Sequence, residues 1–427
     1  MTATCSSDRP WGRAALLLLG LGVFFYASYG LANWLASLRA QVPVVVFDWE
    51  RHVPFLGWTV VPYWSINLFY AASFFVCATR AELDRHAARL LTAQLVAVAC
   101  FIALPLRFSF ERPETAGLPG FLFAVLGGFD RPYNQAPSLH IALLVILWEL
   151  YLRHLPGPAW RWALHLWFAL IGLSVLTTFQ HHAVDVPTGA LLGLLCLWLW
   201  PETGPSPVAG RPVRERRRLI LAGSYAAGGL ALAMLAVLCR GWWLWLFWPT
   251  ASCLLVALNY GLAGAAGFGK AADGTVPVAT RLLLAPYTLA ARLNARLWTR
   301  RAPAPCHVAD GVWLGRLPSA RDLAAGPFHT VVDLCAEIPL PRWTGQRIAL
   351  PCLDLVAPAA ATLDAAAEAI ETARRTGPVL VCCALGYSRS AAAVAAWLVG
   401  TGRAADASMA ATVIRAARPQ IVLHDAA

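Results

Sequence analysis

Long unbroken apolar runs fill most of this chain before residue 270, and they restrict it to a helical protein that crosses a membrane. Lipid offers no partner to backbone N–H and C=O groups, so a span must be a helix of about 20 mostly apolar residues. Runs of that kind occupy residues 13–37, 55–78, 87–106, 138–154, 160–178, 184–200, 218–239 and 243–266, which predicts about eight spans. Hydrophobic residues make up 59% of the chain and charged residues 13%, which excludes an ordinary soluble protein. The first run lacks a small-residue cleavage site and reads as an anchor rather than a removable signal peptide.

The formal charge of +11 comes from arginine, Lys270 being the only lysine. In an apolar chain this excess points to topology and anionic headgroups, not to nucleic acid. Arg9 and Arg13, then Arg80, Arg85 and Arg89, then Arg153 and Arg161, then Arg211, Arg214, Arg216, Arg217 and Arg218 fall on one side if both termini lie inside. An integral inner- or plasma-membrane protein with cytosolic termini is expected. The eleven cysteines form no paired framework and no CxxC metal spacing, so reduced thiols and no metal are expected.

Composition also sets boundaries. Residues 201–217, rich in Pro, Gly and Arg, separate six runs from two more. Residues 280–301 are amphipathic and basic, and read either as a helix along the membrane surface or as a solvated linker. From 303 the pattern changes to the strands, turns and Ala-rich helices of a compact domain. The expected organisation is a membrane domain over 1–205, two spans and a basic linker over 206–302, and a soluble domain over 303–427.

The soluble domain contains the stretch Val379-Leu-Val-Cys-Cys383-Ala384-Leu385-Gly386-Tyr387-Ser388-Arg389-Ser390, followed by an Ala-rich helix. A strand–loop–helix junction turns backbone N–H groups and a helix N-terminus on one point, which makes an anion site. Arg389 would clamp a phosphate, and the same field would hold Cys383 as the nucleophilic thiolate. The plainer reading is a buried cysteine before an ordinary helix. Strand-like segments at 310–315, 328–334, 348–355 and 379–382 alternate with helical ones, which predicts an α/β fold with a parallel-type sheet. Phosphoryl transfer to sulfur needs an acid for the leaving oxygen. Asp354 follows an apolar strand and is preferred over Asp333, which is embedded in one.

This stretch resembles the signature loop of the dual-specificity, protein-tyrosine-phosphatase-like family. The resemblance implies that Cys383 attacks phosphorus, that Arg389 and the backbone of Ala384 to Ser388 hold the phosphoryl oxygens, and that Ser390 assists thiolate release. It also implies Asp354 as general acid and Arg418 as a brace of the core or loop. The family's usual His before the nucleophile is Cys382 here, which would allow a Cys382–Cys383 redox switch.

The membrane half carries a second constellation: Arg112-Pro113, Asn134-Gln-Ala-Pro-Ser138-Leu-His140 and Gln180-His181-His182-Ala-Val-Asp185. On a helix, His181 and Asp185 would meet at i, i+4. An Asp-oriented imidazole is a nucleophile or base, His140 could protonate a leaving group, and Arg112 and Ser138 could bind phosphate. Headgroup-facing polar residues are the plainer reading. These motifs resemble the type-2 phosphatidic acid phosphatase superfamily, closest to its inositol-phosphorylceramide-synthase-like branch. That implies a phosphohistidine at His181, partnered by Asp185, with His140 as acid. Two family positions differ: Pro105 stands for the usual Lys, with Arg107 nearby, and Val175 stands for an Arg.

Together these readings predict a membrane-bound phosphatase without cofactor. Its cytosolic domain would act on a phosphorylated lipid first and a phosphoprotein second. Its membrane half would be a lipid phosphatase, a headgroup transferase or a lipid-binding anchor.

Overall fold

The computed structural model describes residues 9–204, 206–210 and 213–423; Arg211 lies outside them. The chain divides into two units, residues 1–206 and 207–427.

The first unit is helical: α1 (Trp11–Ser37), α2 (Val60–Val76), α3 (Arg80–Ala103), α4 (Gly117–Gly127), α5 (Leu139–His154), α6 (Gly157–Thr177) and α7 (Asp185–Leu199). Glycines bring α7 onto α5. A Cβ on Gly189 would sit 2.4 Å from the Ser138 carbonyl oxygen, and one on Gly193 2.7 Å from that of Ala142. Small residues at i, i+4 permit this backbone approach.

The second unit begins with α8 (Arg216–Cys239) and a broken apolar segment, Gly241–Phe268, built around α9 (Phe247–Leu258). Then come α10 (Val278–Leu283) and α11 (Ala285–Trp298). An α/β body follows, made of β1 (Cys306–Ala309), β2 (Val312–Arg316), α12 (Ala320–Ala325), β3 (Thr330–Cys335), β4 (Gln346–Cys352), α13 (Ala360–Arg374), β5 (Val379–Cys383), α14 (Arg389–Gly400) and α15 (Ala407–Ala417). The sheet runs β1-β2-β5-β3-β4. It is mixed rather than all parallel, because β1 pairs antiparallel with β2 at one edge.

Six helical segments among the described residues are long and apolar enough to cross a membrane: Trp11–Ser37, Gly57–Val76, Arg80–Ala103, Gly157–Thr177, Arg216–Cys239 and Gly241–Phe268. The eight expected spans are therefore not all present at full length. The runs at 138–154 and 184–200 fold as α5 and α7, of 16 and 15 residues. At 1.5 Å per residue these reach about 24 Å, short of a ~30 Å bilayer core. The arginines read as topology signals are partly engaged in ion pairs. Arg89 is buried between Glu149 (3.1 Å) and Glu202 (3.4 Å), and Arg153 reaches Glu82 at 2.9 Å.

Period-2 alternation along β5 sends Val379, Val381 and Cys383 into the core under α13 and α14. Leu380, Cys382 and Ala384 go to the opposite core, with Leu323, Phe328 and Ala295 of α11. Cys382 and Cys383 thus point to opposite faces of the sheet, which corrects the expected redox pair: strand geometry directs the two thiols apart.

Candidate active site

The loop after β5 is held so that its carbonyls face outward. Leu317 N–H donates to the Ala384 carbonyl (3.4 Å), Arg418 to that of Leu385 (3.4 Å), and Val422 N–H to that of Tyr387 (2.9 Å). With the carbonyls tied away, the loop's N–H groups are free to face the centre. Gly386 N–H donates to Cys383 Sγ at 3.3 Å, and Ser390 Oγ donates to the same sulfur at 3.2 Å. Both donors converge on the one sulfur. Gly386 is required there: its φ is +74°, and a Cβ would lie 2.3 Å from the Gly315 carbonyl carbon.

Arg389 opens α14 and is buried. It donates to Glu337 through both nitrogens, Nη1 to Oε2 (2.8 Å) and Nη2 to Oε1 (2.7 Å), and to the Cys352 carbonyl (2.8 Å). Asp354 Oδ1 lies 2.9 Å from Nη2. Burial alone would push the Glu337 carboxyl up, but the Arg389 guanidinium outweighs it and holds Glu337 below the usual carboxylate range. Asp354 moves the other way. Its side chain is 34% exposed, yet desolvation raises its pKa against the pull of Arg389. Glu337 escaped the sequence reading because it follows β3 in a loop with no motif. Arg418 is placed as a brace, buried and bonded to the carbonyls of Ala302, Ala304 and Leu385.

Residues before the α/β body reach this site. Tyr260, in the last third of the apolar segment, donates to the Asp354 carbonyl (3.1 Å), and Thr288 of α11 donates to that of Glu337 (3.3 Å). Lys270 donates to Asp333 Oδ2 (2.7 Å), to the Ile338 carbonyl (2.6 Å) and to the Cys335 carbonyl. Burial disfavours its charge, but the Asp333 carboxylate outweighs this and holds the ammonium above its ordinary pKa. Asp333 is thus a buried ion-pair partner of Lys270.

In the first unit, His181 lies in a turn before α7 rather than on a helix, since helical structure begins at Asp185. Asp185 Oδ2 still meets His181 Nδ1 at 3.2 Å and accepts from His182 N–H at 3.0 Å. His181 Nε2 is 3.1 Å from Ser138 Oγ. His140 and His181 both line a mainly apolar cavity of about 240 Å³, with Tyr63, Asp130 and Asn134. His140 stacks on Tyr63 at 4.2 Å, and its Nε2 is buried without a partner. Arg112 donates to the Thr178 and Phe179 carbonyls and covers the Phe123 ring, and it is not among the lining residues. Arg107 is exposed. His182, structural or headgroup-facing by sequence, is structural: Nδ1 pairs with buried Glu50 (2.8 Å) and Nε2 with Ser109. Among the described residues no group of three His, Cys, Asp or Glu side chains is placed to hold a metal ion.

The family model of the dual specificity phosphatase catalytic domain matches residues 312–426. Human DUSP28 is similar, with 26% identity over 28% of this chain and 87% of its own, TM-score 0.26. A mouse putative dual specificity phosphatase complexed with zinc tungstate shares 27% identity over 29% of this chain and 80% of its own, TM-score 0.27. Tk-PTP in its active form shares 25% identity over 28% and 88%, TM-score 0.23. No curated protein matches the chain.

Proposed function

With residues 312–426 a dual-specificity phosphatase catalytic domain, we propose that this chain is a membrane-bound phosphatase acting on lipid phosphomonoesters ahead of phosphoproteins. The observation that carries the chemistry is the loop in which Cys383 Sγ accepts from Gly386 and Ser390 while the loop carbonyls are bonded outward.

Cys383 sulfur attacks phosphorus as the ester P–O bond breaks, and protonated Asp354 gives its proton to the departing alkoxide. Arg389 and the loop N–H groups take the charge on the equatorial oxygens. Asp354, now a carboxylate, removes a proton from the water that attacks phosphocysteine. The P–S bond breaks, phosphate leaves, and Ser390 O–H supports the released thiolate. The preference for lipid follows from Tyr260. It lies in the last third of a span-length apolar segment, Gly241–Phe268, and its hydroxyl reaches the Asp354 carbonyl, which supports a site held close to the bilayer surface.

A second reading concerns the first unit. The His181–Asp185 pair and the unpartnered His140 Nε2 in an apolar cavity suit a lipid phosphate handled through phosphohistidine. Water as acceptor gives a phosphatase and an alcohol gives a headgroup transferase. A cavity that binds without turnover leaves this half as an anchor.

The test is phosphate release by the full-length protein from phosphatidic acid in mixed micelles, from p-nitrophenyl phosphate and from a phosphopeptide. Cys383→Ser should abolish p-nitrophenyl phosphate turnover, and His181→Ala should spare it. Turnover that survives Cys383→Ser sinks the catalytic assignment, and a phosphopeptide preferred over lipid sinks the substrate ranking.

A further inference from the structure

Three arginines converge on a cavity that the phosphatase chemistry leaves unused. Arg316 ends β2, and Arg292 and Arg296 stand one turn apart on α11; all three line a space of about 230 Å³. Ala384, the residue after Cys383, forms part of the wall, so the cavity adjoins the catalytic loop. One acid answers these three cations: Asp322, 3.6 Å from Arg296. Arg316 spends Nη1 on Thr299 (3.0 Å) and Arg292 spends Nη2 on the Pro339 carbonyl (3.3 Å). Arg316 Nε is buried and has no hydrogen-bond partner among the described residues. Like charges gathered around a half-open space, with a donor left over, call for an anion, and the guanidinium fork fits phosphate oxygens.

The helix that supplies two of the arginines indicates where that anion resides. On α11, Ala291 and Ala295 pack against the α/β core. Leu289, Leu293 and Leu297 recur every four residues on another face and are 54–69% exposed, ending in Trp298. At 100° per residue, Arg292 and Arg296 fall between these faces, alongside the leucines. A leucine row with a terminal Trp and flanking arginines is the pattern of a helix lying in the headgroup layer. The span-length segments Arg216–Cys239 and Gly241–Phe268 belong to the same unit, so a bilayer is at hand.

We propose that Arg292, Arg296 and Arg316 form a binding site for the phosphodiester of an anionic phospholipid, beside the catalytic loop, with α11 seated in the membrane interface. The site rests on the membrane-anchored reading of this unit and is independent of catalysis by Cys383. It would hold the phosphatase mouth against anionic lipid.

The experiment uses full-length protein in phosphatidylcholine nanodiscs, titrated with phosphatidylglycerol, with binding read by thermal shift and by co-purified lipid phosphorus. Arg292→Gln/Arg296→Gln/Arg316→Gln should weaken binding roughly a hundredfold, the usual combined effect of three basic side chains at an anionic surface. Arg347→Gln/Arg375→Gln/Arg415→Gln, which removes the same charge at residues that do not line the cavity, should leave binding unchanged. Arg292→Gln alone, at an exposed side chain, should weaken it about fivefold and covers the case in which the triple variant fails to fold. Cys383→Ser should bind as the wild type does, so that failure of the catalytic reading is seen separately. Equal loss in the charge-matched control would overturn the site. Displacement by inorganic phosphate at matched phosphorus, or by a phosphopeptide, would overturn the lipid assignment.

Discussion

Lys270 donates to Asp333 at 2.7 Å with neither side chain exposed, and this one lysine lies outside the span that matches the phosphatase family. Its other two bonds, to the carbonyls of Cys335 and Ile338, bracket Glu337, the residue that holds Arg389. The segment before the α/β body is therefore part of the site's support. Lys270→Met leaves a buried carboxylate unpaired and should cost about 3–5 kcal/mol, whereas Lys270→Met/Asp333→Leu should recover most of it. Thermal unfolding of the full-length protein checks this. A single variant as stable as the wild type would show that the pair contributes nothing.

Glu337→Gln keeps the shape of the clamp and removes its charge. Hydrogen bonds between charged groups contribute about 1.5–3 kcal/mol, so orthovanadate affinity should fall at least roughly tenfold as Arg389 loses its position. Because the folded pKa of Glu337 is depressed, its stabilisation is fully present above the unfolded value of about 4.3 and is lost as pH falls through the folded one. Acid unfolding of the wild type should steepen below about pH 4, and Glu337→Gln should flatten that slope. Identical acid profiles would refute the coupling.

Periodicity and punctuation explain what the sequence revealed. Val379 to Cys383 alternates between two cores and ends in a loop whose glycine admits no side chain, so the strand and the loop that follows it were legible. Asp354 could be placed beside Arg389 because it follows a strand at the catalytic end of the sheet. Glu337, Glu50 and Lys270 were not legible, since each acts through a partner at least 52 residues away that no local pattern announces. Apolar composition and helix length part company in α5 and α7, which are apolar but short of span length, so six of the eight expected runs reach it among the described residues. The edge strand β1 was missed because four residues are too few for a period-2 signal.

Asp354 should set the alkaline limb of the rate profile. Desolvation raises its pKa, so its acid form persists above the ordinary carboxylate range, and kcat should fall as pH rises through that value. Asp354→Asn should lower kcat by about 10²–10⁴-fold for an alkyl phosphate and remove the limb. The loss should be smaller for p-nitrophenyl phosphate, whose leaving group needs little protonation. An unchanged profile would move the acid elsewhere.

Ser390 separates the two chemical steps. Its hydroxyl lies 3.2 Å from Cys383 Sγ, and under the proposed mechanism it would support the sulfur as a leaving group when water attacks phosphocysteine. In the first step the same sulfur is the nucleophile, and a hydrogen bond to a nucleophile does not accelerate its attack. Ser390→Ala should therefore slow breakdown of the intermediate more than its formation. Losing one such donor costs about 10²–10³ in the step it serves. Rapid mixing with p-nitrophenyl phosphate should give a burst of nitrophenol approaching one equivalent of enzyme, followed by slow turnover, and the trapped phosphoenzyme should map to Cys383. A Ser390→Ala variant with reduced rate and no burst would place the hydroxyl in the first step instead.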